Sequence, residues 1–210
     1  MIALTLLAVP AGASPTVYPS KTDWTAAVTN IITAPFNDQA GPTEYTYYST
    51  AAGLTVGEVN FVGFTGTPGT YHLKVYNPAY SPAWERGSGP SLGGGWSPIN
   101  LVATLPAGGV YALGVDIATE MKGRSVLITL SSGDTYTIAS PTDSTMKFWG
   151  ITSDVAITDI RFGGTNTFTM IDNFSYASIP GEETPEPIGL VLGATGLAAI
   201  WLARRMRRFC

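Results

Sequence analysis

The sequence predicts an all-β protein: an antiparallel β-sandwich of jelly-roll type with one short helix near its start. Three observations predict it. Runs rich in Thr, Tyr, Val and Ile recur at intervals near ten residues. Turn residues separate them, most clearly Ser131-Ser132-Gly133-Asp134 between two alternating runs and Pro106-Ala107-Gly108-Gly109 further upstream. Helical periodicity is almost absent between the runs, and no fixed-period repeat suggests a propeller or a solenoid.

The helix comes first. Ser20 is placed to cap it, Asp23 stands three residues on, and Trp24, Ala27, Val28 and Ile31 follow at helical spacing until Pro35 ends it. Strands are expected at Thr43–Thr50, Leu54–Phe61, Tyr71–Tyr76, Asn100–Leu105 and Val110–Ile117. Further strands are expected at Ser125–Leu130, Thr135–Ile138, Lys147–Ile151, Ile157–Phe162 and Phe168–Tyr176.

Charge and cysteine usage exclude several functions. Of 210 residues only 12% are charged, while 45% are apolar, which is too apolar for a disordered chain. Residues 16–180 carry seven Lys or Arg against twelve Asp or Glu, so the body is acidic. Nucleic acid is not expected as a partner, because phosphate binding draws on clustered Lys and Arg. Cys210 is the single cysteine and ends the chain, so neither an internal disulfide nor a cysteine-based metal site can form. The body of about 165 residues must rest on its own core, and that length suffices for one.

Both ends read as addresses. Ile2 to Val9 is a short apolar run followed by Pro10 and Ala11-Gly12-Ala13, which matches a signal-peptidase site with cleavage between Ala13 and Ser14. The positively charged segment that opens such peptides is missing. Two readings therefore stand: a signal peptide whose start lies upstream of Met1, or a fortuitous apolar stretch. At the other end, the linker 179–187 closes on Pro185-Glu186-Pro187, and residues 188–203 contain no charge. Sixteen residues as a helix span about 24 Å, slightly short of a hydrocarbon core of about 30 Å. Arg204, Arg205, Arg207 and Arg208 in the basic tail 204–210 would hold that end in the cytoplasm. A buried amphipathic helix is the rival reading, but the segment has no polar face.

Pro-Glu-Pro, a short Gly- and Leu-rich apolar span and a terminal arginine cluster, in that order, resemble the PEP-CTERM sorting signal of Gram-negative bacteria that make exopolysaccharide. The resemblance covers residues 185–208; Cys210 follows the arginines where the family usually stops. It implies recognition of Pro185, Glu186 and Pro187 by an exosortase, cleavage nearby, and delivery to the cell surface or extracellular matrix after a membrane-anchored intermediate. Two prolines suit a recognition strip because they keep it extended and outside any helix or sheet.

Residues 16–178 would then be the exported domain. Most of residues 20–177 also resemble domains carried on PEP-CTERM proteins, through Phe36-Asn37-Asp38, Val110-Tyr111-Ala112-Leu113-Gly114-Val115-Asp116, Phe148-Trp149-Gly150 and Ile171-Asp172-Asn173-Phe174. That resemblance implies a β-sandwich and carries no activity.

Chemistry is sparse. His72 is the one histidine and sits in a strand-like run without a nucleophile motif, which reads as a surface or packed histidine rather than a triad member. One histidine without a usable cysteine cannot build a zinc site. The Gly-rich stretch 87–95 lacks a P-loop ending and reads as a flexible surface loop. Trp84 and Trp96 flank it, with Tyr76 and Tyr80 just before. Exposed aromatic rings stack on sugars, so Trp84, Trp96 and Tyr80 form a candidate glycan platform; the alternative is that the tryptophans plug the ends of the sandwich.

Asp116, Asp134, Asp154, Asp159 and Asp172 fall at strand ends or turns, where Asp serves local hydrogen bonds. A structural Ca²⁺ held by some of them is the one cofactor considered, without any motif spacing to support it. The expected role is a non-enzymatic surface or matrix component, structural or weakly glycan-binding, associated with exopolysaccharide or biofilm. A secreted polysaccharide hydrolase, with two facing carboxylates, is the first alternative. A protein-binding adhesion module is the second.

Overall fold

The computed structural model describes residues 14–48, 52–64, 73–80, 87, 89–94, 100–163 and 168–179. The expected signal peptide, His72, Trp84, Trp96, the Pro-Glu-Pro strip, the apolar span 188–203 and the arginine cluster lie outside these residues. Among the described residues, no helix is long and apolar enough to cross a membrane.

In chain order the elements begin with β1 (Thr16–Tyr18), α1 (Lys21–Ala27), β2 (Thr29–Ala34) and a 3-10 turn (Asn37–Gln39). Next come β3 (Tyr45–Tyr48), β4 (Leu54–Val56), β5 (Val59–Phe64), β6 (Leu73–Tyr76), β7 (Ser91–Gly93) and β8 (Asn100–Thr104). The chain continues with β9 (Val110–Thr119), β10 (Ser125–Leu130), β11 (Thr135–Ala139), β12 (Lys147–Ile157), β13 (Asp159–Gly163) and β14 (Thr169–Ser178). They form two sheets. The larger runs β1-β12-β9-β14-β7-β6-β3, with β2 also paired to β14; the smaller runs β11-β10-β13-β8-β5-β4. Every pairing among the described residues is antiparallel.

The two sheets share one core, as the sequence predicts for a sandwich. On β10, Val126, Ile128 and Leu130 are buried while Ser125 and Leu127 are exposed, the period-2 alternation of a half-buried strand. From the larger sheet, Leu73, Val75, Leu92, Leu113, Val115, Ile117, Trp149 and Ile171 meet Phe61, Leu101, Ile128, Ile160 and Phe162 of the smaller one. Phe174 stands at the junction, edge-on to Phe61 at 5.3 Å and to Phe162 at 6.4 Å between centroids.

The helix is shorter than its periodicity predicts. Ser20 caps it by accepting a hydrogen bond from the Asp23 amide at 3.4 Å, but it ends at Ala27, and Val28 is already extended. Residues Thr29 to Thr33 are rich in β-branched side chains, which favour a strand once β14 offers a partner. Ile31 therefore lies on β2 and not on the helix. The expected strand Leu54–Phe61 is a hairpin instead: Gly57, with φ of 60°, turns the chain between β4 and β5. Within the Gly-rich stretch expected as a loop, Ser91–Gly93 is a buried strand joining β6 to β14.

A β-bulge in β14 decides which side chains enter the core. Between Asp172 and Ser175 the register against β9 slips, and Asn173 takes the left-handed conformation at φ of 49°. Asn tolerates that backbone better than most residues. Were β14 regular here, with Asn173 paired opposite Val115, Phe174 and Tyr176 would point away from the core, because a one-residue slip exchanges the two faces of a strand.

Candidate functional site

The outer face of the larger sheet, turned away from the shared core, carries the chemistry. Strand alternation puts Lys74 and Tyr76 of β6 on this face, because Leu73 and Val75 fill the core. β3 lies alongside with Tyr45 opposite Tyr76 and Tyr47 opposite Lys74. Three tyrosines thus surround one ammonium: Lys74 Nζ lies 4.4 Å from the Tyr45 ring centroid, 5.1 Å from Tyr47 and 6.0 Å from Tyr76. Tyr45 stands edge-on to Tyr47 at 5.1 Å and to Tyr76 at 6.0 Å, which locks the rings against one another.

Exposure within the cluster is graded. Lys74 is 5% exposed and Tyr76 7%, whereas Tyr47 is 51% exposed. Burial pulls the Lys74 ammonium below its ordinary pKa, opposed by the negative charges of Glu120 and Glu44 nearby. Burial also drives the Tyr76 phenol well above its usual range. Gly93 on β7 makes room for Tyr76: a Cβ there would lie 2.9 Å from the Tyr76 ring. Tyr80 sits in the turn after β6 and is 56% exposed. That turn is tied to the start of β3, since the Asn77 amide donates to Glu44 O at 2.9 Å and the Asn77 side chain donates to Gly41 O at 2.9 Å.

A second polar centre lies on the same face where the bulge interrupts β14. Asp116 of β9 and Asp172 of β14 are directly opposite each other. Asn173 holds both: its side-chain amide donates to Asp116 Oδ2 at 2.8 Å and to Asp172 Oδ2 at 3.4 Å, and its backbone N–H donates to Asp172 Oδ1 at 2.7 Å. Burial raises the Asp172 pKa, the Asn173 amide opposes this, the Asp116 charge adds to the rise and Lys21 opposes it.

The sign of the resulting pH effect follows. A carboxyl whose folded pKa is raised binds more protons folded than unfolded, so its contribution to stability falls as pH climbs from about 3.9 through the raised folded value. Asp172→Asn removes that contribution. The stability of wild type minus that of Asp172→Asn, from urea titrations between pH 4 and 7, is expected to decrease with rising pH. A difference that increases would show that folding lowers the Asp172 pKa rather than raising it.

Helix α1 closes the far part of the face. Trp24 is 1% exposed, donates to Ile151 O at 3.3 Å and lies over Gly114 and Gly150. Trp24 forms a second small cluster with Val28, Ala112 and Ala177, against which Tyr18, Ala27, Phe148 and Ile179 pack.

Of the residues the sequence singles out, Tyr80 is exposed in the turn after β6, and Ser14 is the first described residue and exposed. Among the five aspartates, the fold brings Asp116 and Asp172 together and leaves the others apart: Asp134 receives a bond from Ser132 at 2.7 Å, and Asp159 lies 3.8 Å from Arg161. Among the described residues, no group of three or more His, Cys, Asp or Glu is placed to hold a metal. Sequence reasoning passed over Tyr45, Tyr47 and Lys74. Their signal is the period-2 spacing of Tyr45 with Tyr47 and of Lys74 with Tyr76, which marks a shared face only once the two strands are known to pair.

Fold and site together define a two-sheet β-sandwich domain with a tyrosine-rich outer face. No protein-family model matches the sequence, and no curated relative matches it. Among solved structures it is similar to a carbohydrate-binding module of family 29, at 16% identity and a TM-score of 0.37, covering 70% of this chain and 96% of that one. It is also similar to a variant of CBM29-2 complexed with mannohexaose, at 12% identity and a TM-score of 0.40, covering 64% and 91%. The fold stands on the strand registers and shared core of this chain and not on these likenesses.

Proposed function

We propose that this is an exported, non-enzymatic surface protein whose sandwich binds glycans through the outer face of its larger sheet. One observation carries the binding: Tyr45, Tyr47 and Tyr76 are fixed around Lys74 on the outer face of that sheet, with half of Tyr47 exposed and Tyr80 exposed in the adjoining turn. Rigid aromatic faces stack on the apolar faces of sugar rings at little entropic cost. Trp84 and Trp96 belong to the same proposal from their sequence position between β6 and β8. The export half rests on the sequence: signal-peptidase cleavage before Ser14, a transient anchor at 188–203 and exosortase recognition of Pro185-Glu186-Pro187. Exopolysaccharide of the producing cell is the proposed partner.

Binding is tested by retardation of the protein in gels containing soluble polysaccharides, exopolysaccharide included. Tyr47→Ala is expected to weaken retention about tenfold, as loss of one stacking ring would, with little change in stability because the ring is half exposed. Equal retention of wild type, Tyr47→Ala and Tyr80→Ala would remove this face from the proposal. A surface-bound mature form still ending in Cys210 by mass spectrometry would sink exosortase processing.

The hydrolase reading has one observation in its favour, the pairing of Asp116 with Asp172 across two strands. Against it, both carboxylates are engaged by Asn173, and Asp172 is 8% exposed. Release of reducing ends that Asp172→Asn abolishes would restore it.

A further inference from the structure

We infer that the glycan taken by this face is an uncharged polymer and not a polyuronate or a sulfated chain. The inference rests on the glycan-binding reading above and names the substrate class of the same site. A site for anionic sugars needs a cation that the ligand can reach, as charge-assisted bonds to carboxylate or sulfate come from exposed Arg or Lys. Among the described residues, Lys74 is the cation of the tyrosine cluster, and its charge is already engaged. It is 5% exposed, faces the Tyr45 and Tyr47 rings, and is balanced by Glu120 and Glu44.

The rest of the face repeats that balance. Asp116 and Asp172 lie together on it, with Lys21 acting on Asp172. Among the described residues grouped around Lys74 and the bulge, the carboxylates of Glu44, Glu120, Asp116 and Asp172 outnumber Lys74 and Lys21, inside a body that is itself acidic. A polyanion approaching within a Debye length, about 10 Å at 0.1 M salt, meets net repulsion. A neutral sugar loses nothing to that field and keeps the gain from ring stacking. Lys74 becomes a positioning residue: its ammonium holds the Tyr45 and Tyr47 rings in place and does not meet the ligand.

Binding of the full-length protein is measured by interferometry on immobilised galactomannan and hydroxyethylcellulose, which are neutral, and on alginate and polygalacturonate, which are anionic. Salt is varied between about 20 and 300 mM to span weak and strong screening. The neutral polymers are expected to bind with less than about twofold dependence on salt, and the anionic ones at least about tenfold more weakly at low salt. Replacing Glu44 and Glu120 by Gln is expected to narrow that gap at least about threefold while neutral binding persists. Should that double variant fail to fold, the salt response of the wild type decides alone. Anionic polymers held as tightly as neutral ones at low salt, and released by added salt, would overturn the inference and leave the glycan-binding reading standing. Retention of neither class would remove both.

Discussion

Phe174→Ala is expected to destabilise the domain by about 3–5 kcal/mol, the range for emptying a fully buried aromatic site. The ring is fully buried and touches the two sheets at once, edge-on to Phe61 and Phe162 of the smaller one. Phe61 in turn stands edge-on to Phe36 at 5.3 Å, so the deletion opens the centre of a chain of rings instead of its end. Little collapse can fill the gap, because strand registers on both sides hold the backbones apart. Domains of this size are stable by about 5–15 kcal/mol in total, so the variant should unfold at a markedly lower urea concentration. A loss below about 1 kcal/mol would show that the two sheets do not depend on this contact.

The second large effect concerns the seat of helix α1. A Cβ added at Gly150 would lie 2.7 Å from Trp24 Cδ1, 2.8 Å from Cγ and 2.9 Å from Phe148 Cε1. The indole cannot retreat easily, since it is buried and bonded to Ile151 O. Gly150→Ala is therefore expected to cost about 1–3 kcal/mol through overpacking, although alanine suits a strand better than glycine. Trp24→Ala removes the two nearer obstacles at its own cost of about 3–5 kcal/mol and frees space into which the Phe148 ring can shift. In that background Gly150→Ala should become neutral or stabilising by up to about 1 kcal/mol, the ordinary preference of a strand for Ala over Gly. Such a sign change is the mark of direct contact in a double-mutant cycle. If the two losses simply add, the helix is not seated by Gly150.

Both effects arise on strands that the sequence announces, and the contrast between them and the site is instructive. Val126, Ile128 and Leu130 alternate with exposed neighbours, so β10 was legible residue by residue. The Ser20 cap was legible too, because its partner is three residues away. The end of α1 was not. Trp24, Ala27, Val28 and Ile31 keep helical spacing, but pairing of Thr29–Ala34 with β14, at the far end of the domain, overrides it. The short strand at Ser91–Gly93 was hidden for the same reason, since its glycines look like a loop until Tyr76 packs against one of them.

By itself, the sequence determined the β class, the acidic body and most strand positions. These depend on composition, on period-2 alternation and on short linear patterns, all of which are local. Tertiary structure alone decided that Tyr45 and Tyr47 face Lys74 and Tyr76, that Asp116 meets Asp172, and that Phe174 turns inward. The physical reason is that alternation divides each strand into two faces without saying which strand lies beside it or which face is buried. Long-range antiparallel register settles the first question. On β14 the single extra residue at Asn173 settles the second.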